Sequence, residues 1–526
     1  MTSPATTDAG STGRMPRQIP YIIANEGCER FSFYGMRNIL TPFLISTLLL
    51  FVAESERTGE AKDVFHTFMM GVYFFPLLGG WLADRYFGKY NTIFWFSLIY
   101  CAGHACLAIF ENSVNGFYFG LLLIAFGSGG IKPLVASFVG DQFDKTNKSK
   151  AKVVFDAFYW IINFGSFFAS LLMPLFLRDY GPSVAFGIPG ILMFIATIVL
   201  WSGKKKYIHV PPAPSDPHSF LRVVRTAVMA QRPGAGRPGL IVAILGMVGA
   251  VYSLARSPDW GFVIAACLAL VLLIAFVGMG ASMQLDRARG VHPDLAVDGV
   301  RAVLRILIVF ALVTPFWSLF DQKASTWIVQ ANAMSTDVNF LGWSFSVLPA
   351  QMQALNPLLV MILIPFNNLV LFPMLGKMGF EPTALRRMTA GIAFSALAWI
   401  VVGNLQVQLD AGDPVSIAWQ ILPYALLTLG EVLVSATGLE FAYSQAPAAM
   451  KGVIMALWYL AVTVGNLWVL IVNSGVKNPA VIAHIESSGV GLMAFQMYFF
   501  AAFAMLAALV FGLYARRYKM VDNYRG

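Results

Sequence analysis

The chain has 526 residues, of which 58% are hydrophobic and only 12% charged, with a mean hydropathy of +0.68. That balance excludes a soluble globular protein of this length and indicates a chain that crosses a membrane many times. The formal charge of +9 does not point to nucleic acid, because Lys and Arg fall in short loops between apolar runs, and such asymmetry sets orientation in a bilayer.

The polar stretch 1–19 has no apolar core with a small-residue cleavage site, so no removable signal is expected. Runs long enough to span follow near 21–52, 64–83, 91–110, 116–138, 153–177 and 184–202. Two more lie near 238–255 and 260–283, and six near 302–330, 345–375, 385–404, 416–442, 452–474 and 490–514. The expected organisation is a tail (1–19), a six-helix bundle (20–203) and a basic linker (204–237). Two inserted membrane helices (238–284), a second linker (285–300), a second six-helix bundle (301–516) and a tail (517–526) complete it. The fold class is therefore all-α and polytopic. With the N-terminus in the cytoplasm, the cytoplasmic loops receive Arg85, Lys89, Lys145, Lys148, Lys150, Lys152, Arg287 and Arg289. Lys377, Arg386, Arg387, Lys451, Arg516, Arg517 and Lys519 join them, while the loop 53–63 on the other side carries four acids against two bases. Both termini are expected inside.

Several spans carry polar residues that lipid would not accept. In "NEGCERFSFYGMRNIL" (25–40), Glu26, Glu29, Arg30, Phe33, Tyr34 and Arg37 share one helical face. One charge at mid-bilayer costs ~2.5–3.5 kcal/mol, so these must be paired and turned from lipid. His66 and Tyr73 lie two turns apart in the second span; a lone His there is a structural hydrogen bonder or a proton site. His104 has no polar companions nearby in sequence and reads as packing, as do Cys28, Cys101, Cys106 and Cys267. Lys132 follows Gly127, Gly129 and Gly130 and precedes Pro133, which places a cation inside a loosened helix, either for function or as a structural ion pair. Tyr159, Asn163 and Ser166 line one face of the fifth span.

In the later spans, Asp321 comes one turn after Trp317 and should find a cation, with Lys132 or Arg37 of the first bundle as candidates for an inter-bundle latch. Asn356 before Pro357 suggests a polar break. Glu431 stands mid-span with Ser435 one turn later. Separated positive and negative groups, with rings and amides between, suit a zwitterion a few residues long.

"GGWLADRYFGKY" (79–90) resembles the loop between the second and third helices of the major facilitator superfamily. "ERFSFYGMR" (29–37) with Glu26 resembles the Glu-x-x-Glu-Arg motif of the proton-dependent oligopeptide transporter family. "GSGGIKPLVASFVGDQF", "FYWIINFGS" and "GLEFAYSQAPAAMKG" are similar to three further motifs of that family, and the two inserted helices resemble its bacterial members. The resemblance implies the major facilitator fold, twelve helices in two bundles plus two inserted, and uptake of di- and tripeptides coupled to protons by alternating access. It also implies a bacterial inner-membrane location, lipid surroundings, function as a monomer, no cofactor beyond the proton gradient, no metal, no nucleic acid and no enzymatic step.

Carried over by position, Glu26, Glu29, Arg30 and His66 would handle protons. Arg37 and Lys132 would attract the peptide carboxylate, Glu431 the amine, and Asn163 and Asn356 the backbone. Tyr34, Tyr73, Trp317, Ser435 and Trp458 would line the pocket, and Asp321 would join the latch with Lys132 and Arg37. Phe33 replaces a Tyr of many relatives, Asp321 is shorter than the Glu of some, and Lys323 has no assigned role. A carrier of amino acids or nitrate is the alternative; nitrate would have little use for Glu431. An enzyme would need a nucleophile with a base, a metal cluster or a phosphate loop, and none is visible.

Overall fold

A computed structural model describes residues 15–143, 147, 150–212, 216–231, 236–340, 342–445 and 450–518. Lys145, Lys148 and Lys519 of the loop-charge pattern lie outside the described residues, as does 446–449 of the last motif.

Thirteen helices among the described residues are long and apolar enough to cross a membrane. A fourteenth of spanning length, α1 (Ile19–Phe43), has its hydropathy lowered by four charges and runs into a π-helical turn at Leu44–Leu48. Next, α2 (Glu54–Leu82) begins ten residues before the expected span, so most of the anticipated loop 53–63 is helical. Two physical reasons account for this. Glu54 and Glu56 sit in its first turn, where carboxylates complement the helix dipole. Arg57 folds back to donate to the carbonyls of Leu49 and Val52, at 3.1 and 3.0 Å.

Then come α3 (Lys89–Ile109), α4 (Val114–Gly129) and α5 (Lys132–Gly140). The fourth span is thus two helices, and Lys132 opens the second. Pro133 lacks an amide hydrogen and fits a first turn, which sets the restart. Glycine brings α2 against α4: a Cβ at Gly79 would lie 2.1 Å from the Gly129 carbonyl oxygen. Two long helices, α6 (Ala151–Tyr180) and α7 (Pro182–Ser202), follow.

The linker contains a helix that the apolar runs do not reveal, α8 (Phe220–Met229). Its Val223, Val224, Ala227 and Val228 are buried, while Leu221, Arg222 and Arg225 are exposed. α9 (Pro238–Ala255) pairs with the helix Phe262–Met283, and a Cβ at Gly239 would meet the Gly280 oxygen at 2.2 Å. Gln284 then caps α8 by donating to Ala227 O and Val228 O at 2.8 and 2.7 Å. Outside the spans, Arg289 binds Asp286, Asp294 and Asp298 at 2.9, 2.8 and 2.6 Å. Hydrogen bonds from Arg289 and Arg301 hold the Asp286 carboxyl below its usual range.

The expected span 345–375 starts too early. Residues Asp337–Phe340 (β1) and Trp343–Ser346 (β2) form an antiparallel hairpin with Val338 opposite Phe345. The membrane helix begins with a 3-10 turn at Pro349–Ala354 and continues as Leu355–Phe366. Pro357 therefore falls in a first turn, where it breaks nothing.

By contact density the chain forms two compact units, one within Met1–Ile39 and Phe75–Ala213, the other within Leu40–Phe74 and Pro214–Gly526. The grouping cuts α1 after Ile39 and α2 after Phe74, so it does not follow the loops. Phe117 against Phe186 anchors the first core, at 5.3 Å between ring centroids. Trp327, Trp399 and Phe500 anchor the second.

Candidate functional site

In the first unit the charges of α1 pair with one another. Arg30 Nε lies 2.8 Å from Glu26 Oε1 and 2.6 Å from Glu29 Oε2. All three residues are buried, Glu29 completely. The pairs are close without being aligned as hydrogen bonds, and both Glu29 oxygens and Glu26 Oε2 lack a hydrogen-bond donor among the described residues. One guanidinium thus faces two carboxylates in a buried setting. The spacing Glu26–Arg30, one helical turn, makes this pairing readable from sequence.

Nearby on the same helix, Arg37 is buried and Tyr34 half-buried. Lys132 stands at the start of α5 with its Nζ 3.8 Å from the centre of the Phe33 ring. The Phe33 ring face therefore serves as a cation–π partner. Asn163 of α6 is buried and donates to the Tyr159 carbonyl at 3.0 Å, while Tyr159 itself is exposed. His104 does have a polar companion, contrary to the sequence reading: its Nε2 lies 2.9 Å from Ser32 Oγ, and Ser32 donates to Pro189 O at 2.7 Å. Nε2 therefore carries a hydrogen, and His104 is a cross-brace between α1 and α3.

In the second unit the arrangement is a hydrogen-bonded chain. His66 Nδ1 is 2.7 Å from Asn466 Oδ1, and its Nε2 is 2.9 Å from Ser325 Oγ. Asn466 Nδ2 donates to Asp321 Oδ2 at 2.8 Å. The network assigns Nδ1–H as donor to the amide oxygen and Nε2 as acceptor from the Ser325 hydroxyl. Every member is buried, with His66, Asn466 and Ser325 at 0% exposure and Asp321 at 1%. A proton arriving at Nε2 would turn the Ser325 hydroxyl towards the Gln322 carbonyl, 3.4 Å away. The charge would then stand one amide away from Asp321, with Asn466 bonded to both. Asn466 carries no sequence signal, being an isolated polar residue in an apolar run, and nothing marks Ser325 out within the polar stretch Asp321–Thr326.

Glu431 is half-buried and accepts from Asn356 Nδ2 at 2.6 Å; the same amide reaches Thr428 Oγ1 at 3.0 Å. Asn356 thereby orients the acid. Beyond Glu431 the helix widens into a π turn at Val432–Ala436, which carries Ser435. Trp317 and Trp458 meet edge to face at 5.7 Å, each 6% exposed. Their approach depends on Gly465, where a Cβ would sit 2.4 Å from Trp317 Cβ. Tyr73 stacks on Tyr459 at 6.3 Å, a partner that the sequence did not single out.

The structure therefore groups Glu26, Glu29, Arg30, Tyr34, Arg37, Lys132 and Asn163 in one unit. It groups His66, Tyr73, Trp317, Asp321, Asn356, Glu431, Ser435 and Trp458 in the other.

Comparison with known proteins gives the following. The family model PTR2, described as "POT family", matches residues 90–488. A human protein named solute carrier family 15 member 2 is 31% identical over 453 residues, covering 83% of this chain and 55% of that one. Peptide transporter family 2 of Caenorhabditis elegans is 32% identical over 419 residues, covering 76% and 48%. The chain spans about half the length of these curated relatives. A solved structure described as an auto inhibited POT family peptide transporter is 67% identical, with a TM-score of 0.93 over 97% of this chain and 99% of that one. The structure of the POT family transporter PepTSo is 65% identical, with the same TM-score over 97% and 100%.

Proposed function

Since the chain belongs to the POT family, with the major facilitator fold expected from its sequence, we propose that it takes up di- and tripeptides with protons by alternating access. The observation that carries this reading is the buried triad in which Arg30 faces Glu26 and Glu29. A structural ion pair needs one acid; the second gives the site a place to load a proton. One proton entering across ~150 mV supplies ~3.5 kcal/mol, enough for a few hundredfold accumulation of peptide.

Arg37 and Lys132 receive the peptide carboxylate, and Glu431, held by Asn356, receives the amine. Asn163 takes a polar group of the peptide backbone, and Tyr34, Tyr73, Trp317 and Trp458 bound the side chains. His66 is the second proton site and acts on Asp321 through Asn466. The part given to Asp321 with Arg37 or Lys132, a latch that yields as protons load, belongs to this proposal. The protein works as a monomer in a bacterial inner membrane with both termini, the 204–237 linker and the Asp84–Lys89 turn on the cytoplasmic side. It moves solute without chemistry, and its energy source is the proton gradient rather than a cofactor.

The test is uptake of radiolabelled dialanine by proteoliposomes holding the purified protein, under an imposed pH gradient and membrane potential. Accumulation above the outside concentration, abolished by a protonophore, is expected. Accumulation of nitrate or a free amino acid in place of dialanine would overturn the substrate assignment. Single cysteines at Ser55 and Ser219, in a background without native cysteines, should react with an impermeant thiol reagent from opposite sides.

A further inference from the structure

Within the second unit, the first half of α2 lies along the helix Lys451–Gly475, and its outermost contact is in line with the His66 chain. Asp63 uses both carboxylate oxygens there. Oδ2 accepts from Lys477 Nζ at 2.6 Å, and Oδ1 accepts from Asn473 Nδ2 at 3.0 Å. Glu60 stands 3.8 Å from the same ammonium. Further along, His66 meets Asn466, Met70 packs against Leu467 and Leu470, and Tyr73 stacks on Tyr459. Positions 63, 66, 70 and 73 recur at intervals of three and four, which puts them on one stripe of α2. Their partners run backwards from 477 to 459, so the stripe is one side of an antiparallel seam.

The Asp63 contact differs from an ordinary ion pair at a surface, which contributes little. Lys477 is the exposed partner, with 54% of its side chain accessible against 23% for Asp63. The second donor, Asn473, is only 6% exposed, so the carboxylate is gripped from inside as well as from outside. A carboxylate held by two donors four positions apart fixes where the two helices stand along one another, not merely that they touch. From Asn473 to Asn466 is two turns, about 10.5 Å. A slip of one turn, about 5.4 Å, would carry the Asn466 amide out of reach of His66.

We propose that Asp63 is a positioning residue of the proton step. Gripped by Asn473 and Lys477, it sets the register of the seam and so holds the Asn466 oxygen against His66 Nδ1. This rests on the reading of His66 as a proton site. In that reading Asp63 acts through Asn466, and the chain from His66 to Asp321 stays joined only while the outer grip is closed.

The experiment has one arm without transport and one with it. In a background lacking native cysteines, Met70→Cys with Leu467→Cys places a thiol on each side of the seam, and oxidation by copper phenanthroline should cross-link them. Adding Asp63→Ala should slow that cross-linking about tenfold, as the register loosens; an unchanged rate overturns the inference whatever the transport results show. In proteoliposomes, Asp63→Ala should lower proton-driven accumulation of dialanine about fivefold and leave exchange at equal proton concentrations within about twofold. Because it acts through Asn466, the double variant Asp63→Ala, Asn466→Ala should be no worse than Asn466→Ala alone. Additive losses, or equal losses of driven uptake and exchange, overturn the positioning role. Lys477→Gln, at an exposed position, should show the same ordering with a smaller effect and serves if Asp63→Ala does not fold. Glu60→Gln, which touches only the rim of the grip, should change neither arm; an effect as large as that of Asp63→Ala overturns the assignment to Asp63. If Asn466→Ala lowers driven uptake and Asp63→Ala does not, this inference falls and the reading of His66 stands. If Asn466→Ala leaves driven uptake intact, both fall.

Discussion

The two units handle buried polarity in opposite ways. In α1, Glu26, Glu29 and Arg30 are ionisable groups held by neighbours within one turn of the same helix. In the second unit, His66, Asn466, Ser325 and Asp321 form a hydrogen-bonded chain built from residues as far as 400 positions apart. An ion-paired cluster responds to a proton by changing its net charge and its attractions. The hydrogen-bonded chain responds by turning the Ser325 hydroxyl, with the Asn466 amide keeping both its bonds. The first can supply a large free-energy step; the second can report a proton at one end to a carboxylate at the other.

The comparison breaks most sharply at Glu29. Glu29→Gln, a mimic of the protonated acid, should abolish accumulation of dialanine under a pH gradient, a loss of at least a hundredfold, while exchange across equal proton concentrations persists. Driven accumulation by a folded Glu29→Gln protein would move the coupling elsewhere. Next is Glu431→Gln, which keeps an oxygen for the Asn356 amide but removes the charge. A charge-assisted contact contributes about 1.5–3 kcal/mol, so dipeptide binding should weaken ten- to a hundredfold. The disadvantage of N-acetylated dipeptide should then vanish in competition binding; full discrimination by the variant would place amine recognition at another residue.

The relay is tested by Asn466→Ala. It leaves the His66 Nδ1 hydrogen and one Asp321 oxygen without these partners in a buried setting, at about 1–3 kcal/mol of stability. Driven uptake should drop roughly tenfold with exchange less affected, the reverse ordering arguing for a purely structural chain. The smallest effect lies outside the membrane. His292 is held below its usual pKa by burial and then by His218, whose Nδ1 is 3.0 Å from its own. The folded protein thus binds fewer protons there than the unfolded chain does. That contribution is complete above pH 6.5 and is lost as the pH falls below it. Proteolysis of the linker should speed up modestly from pH 7.5 to 5.5 in the wild type and not in His292→Gln. If transport keeps its pH profile in His292→Gln, the linker is excluded as its origin.

How much of this was written in the sequence depends on distance along the chain. Spanning helices were legible because a bilayer demands about twenty apolar residues in a row, and the sequence alone determined their number and the inserted pair. The triad was legible too, because a helix brings positions three and four apart together whatever surrounds it. Elements that rely on partners were not. The helix α8 is short and half-polar, and it folds because its valines reach the Leu285–Val300 region. The β-hairpin at 337–346 and the helical start of α2 interrupt or extend runs that hydropathy reads as loop or span. The partners of His66, the tie of His104 to Ser32, and the hold of Asn356 on Glu431 were decided only by tertiary packing. A buried polar atom must find a complement wherever the fold supplies one, and nothing local in an apolar stretch says which distant serine or asparagine that will be.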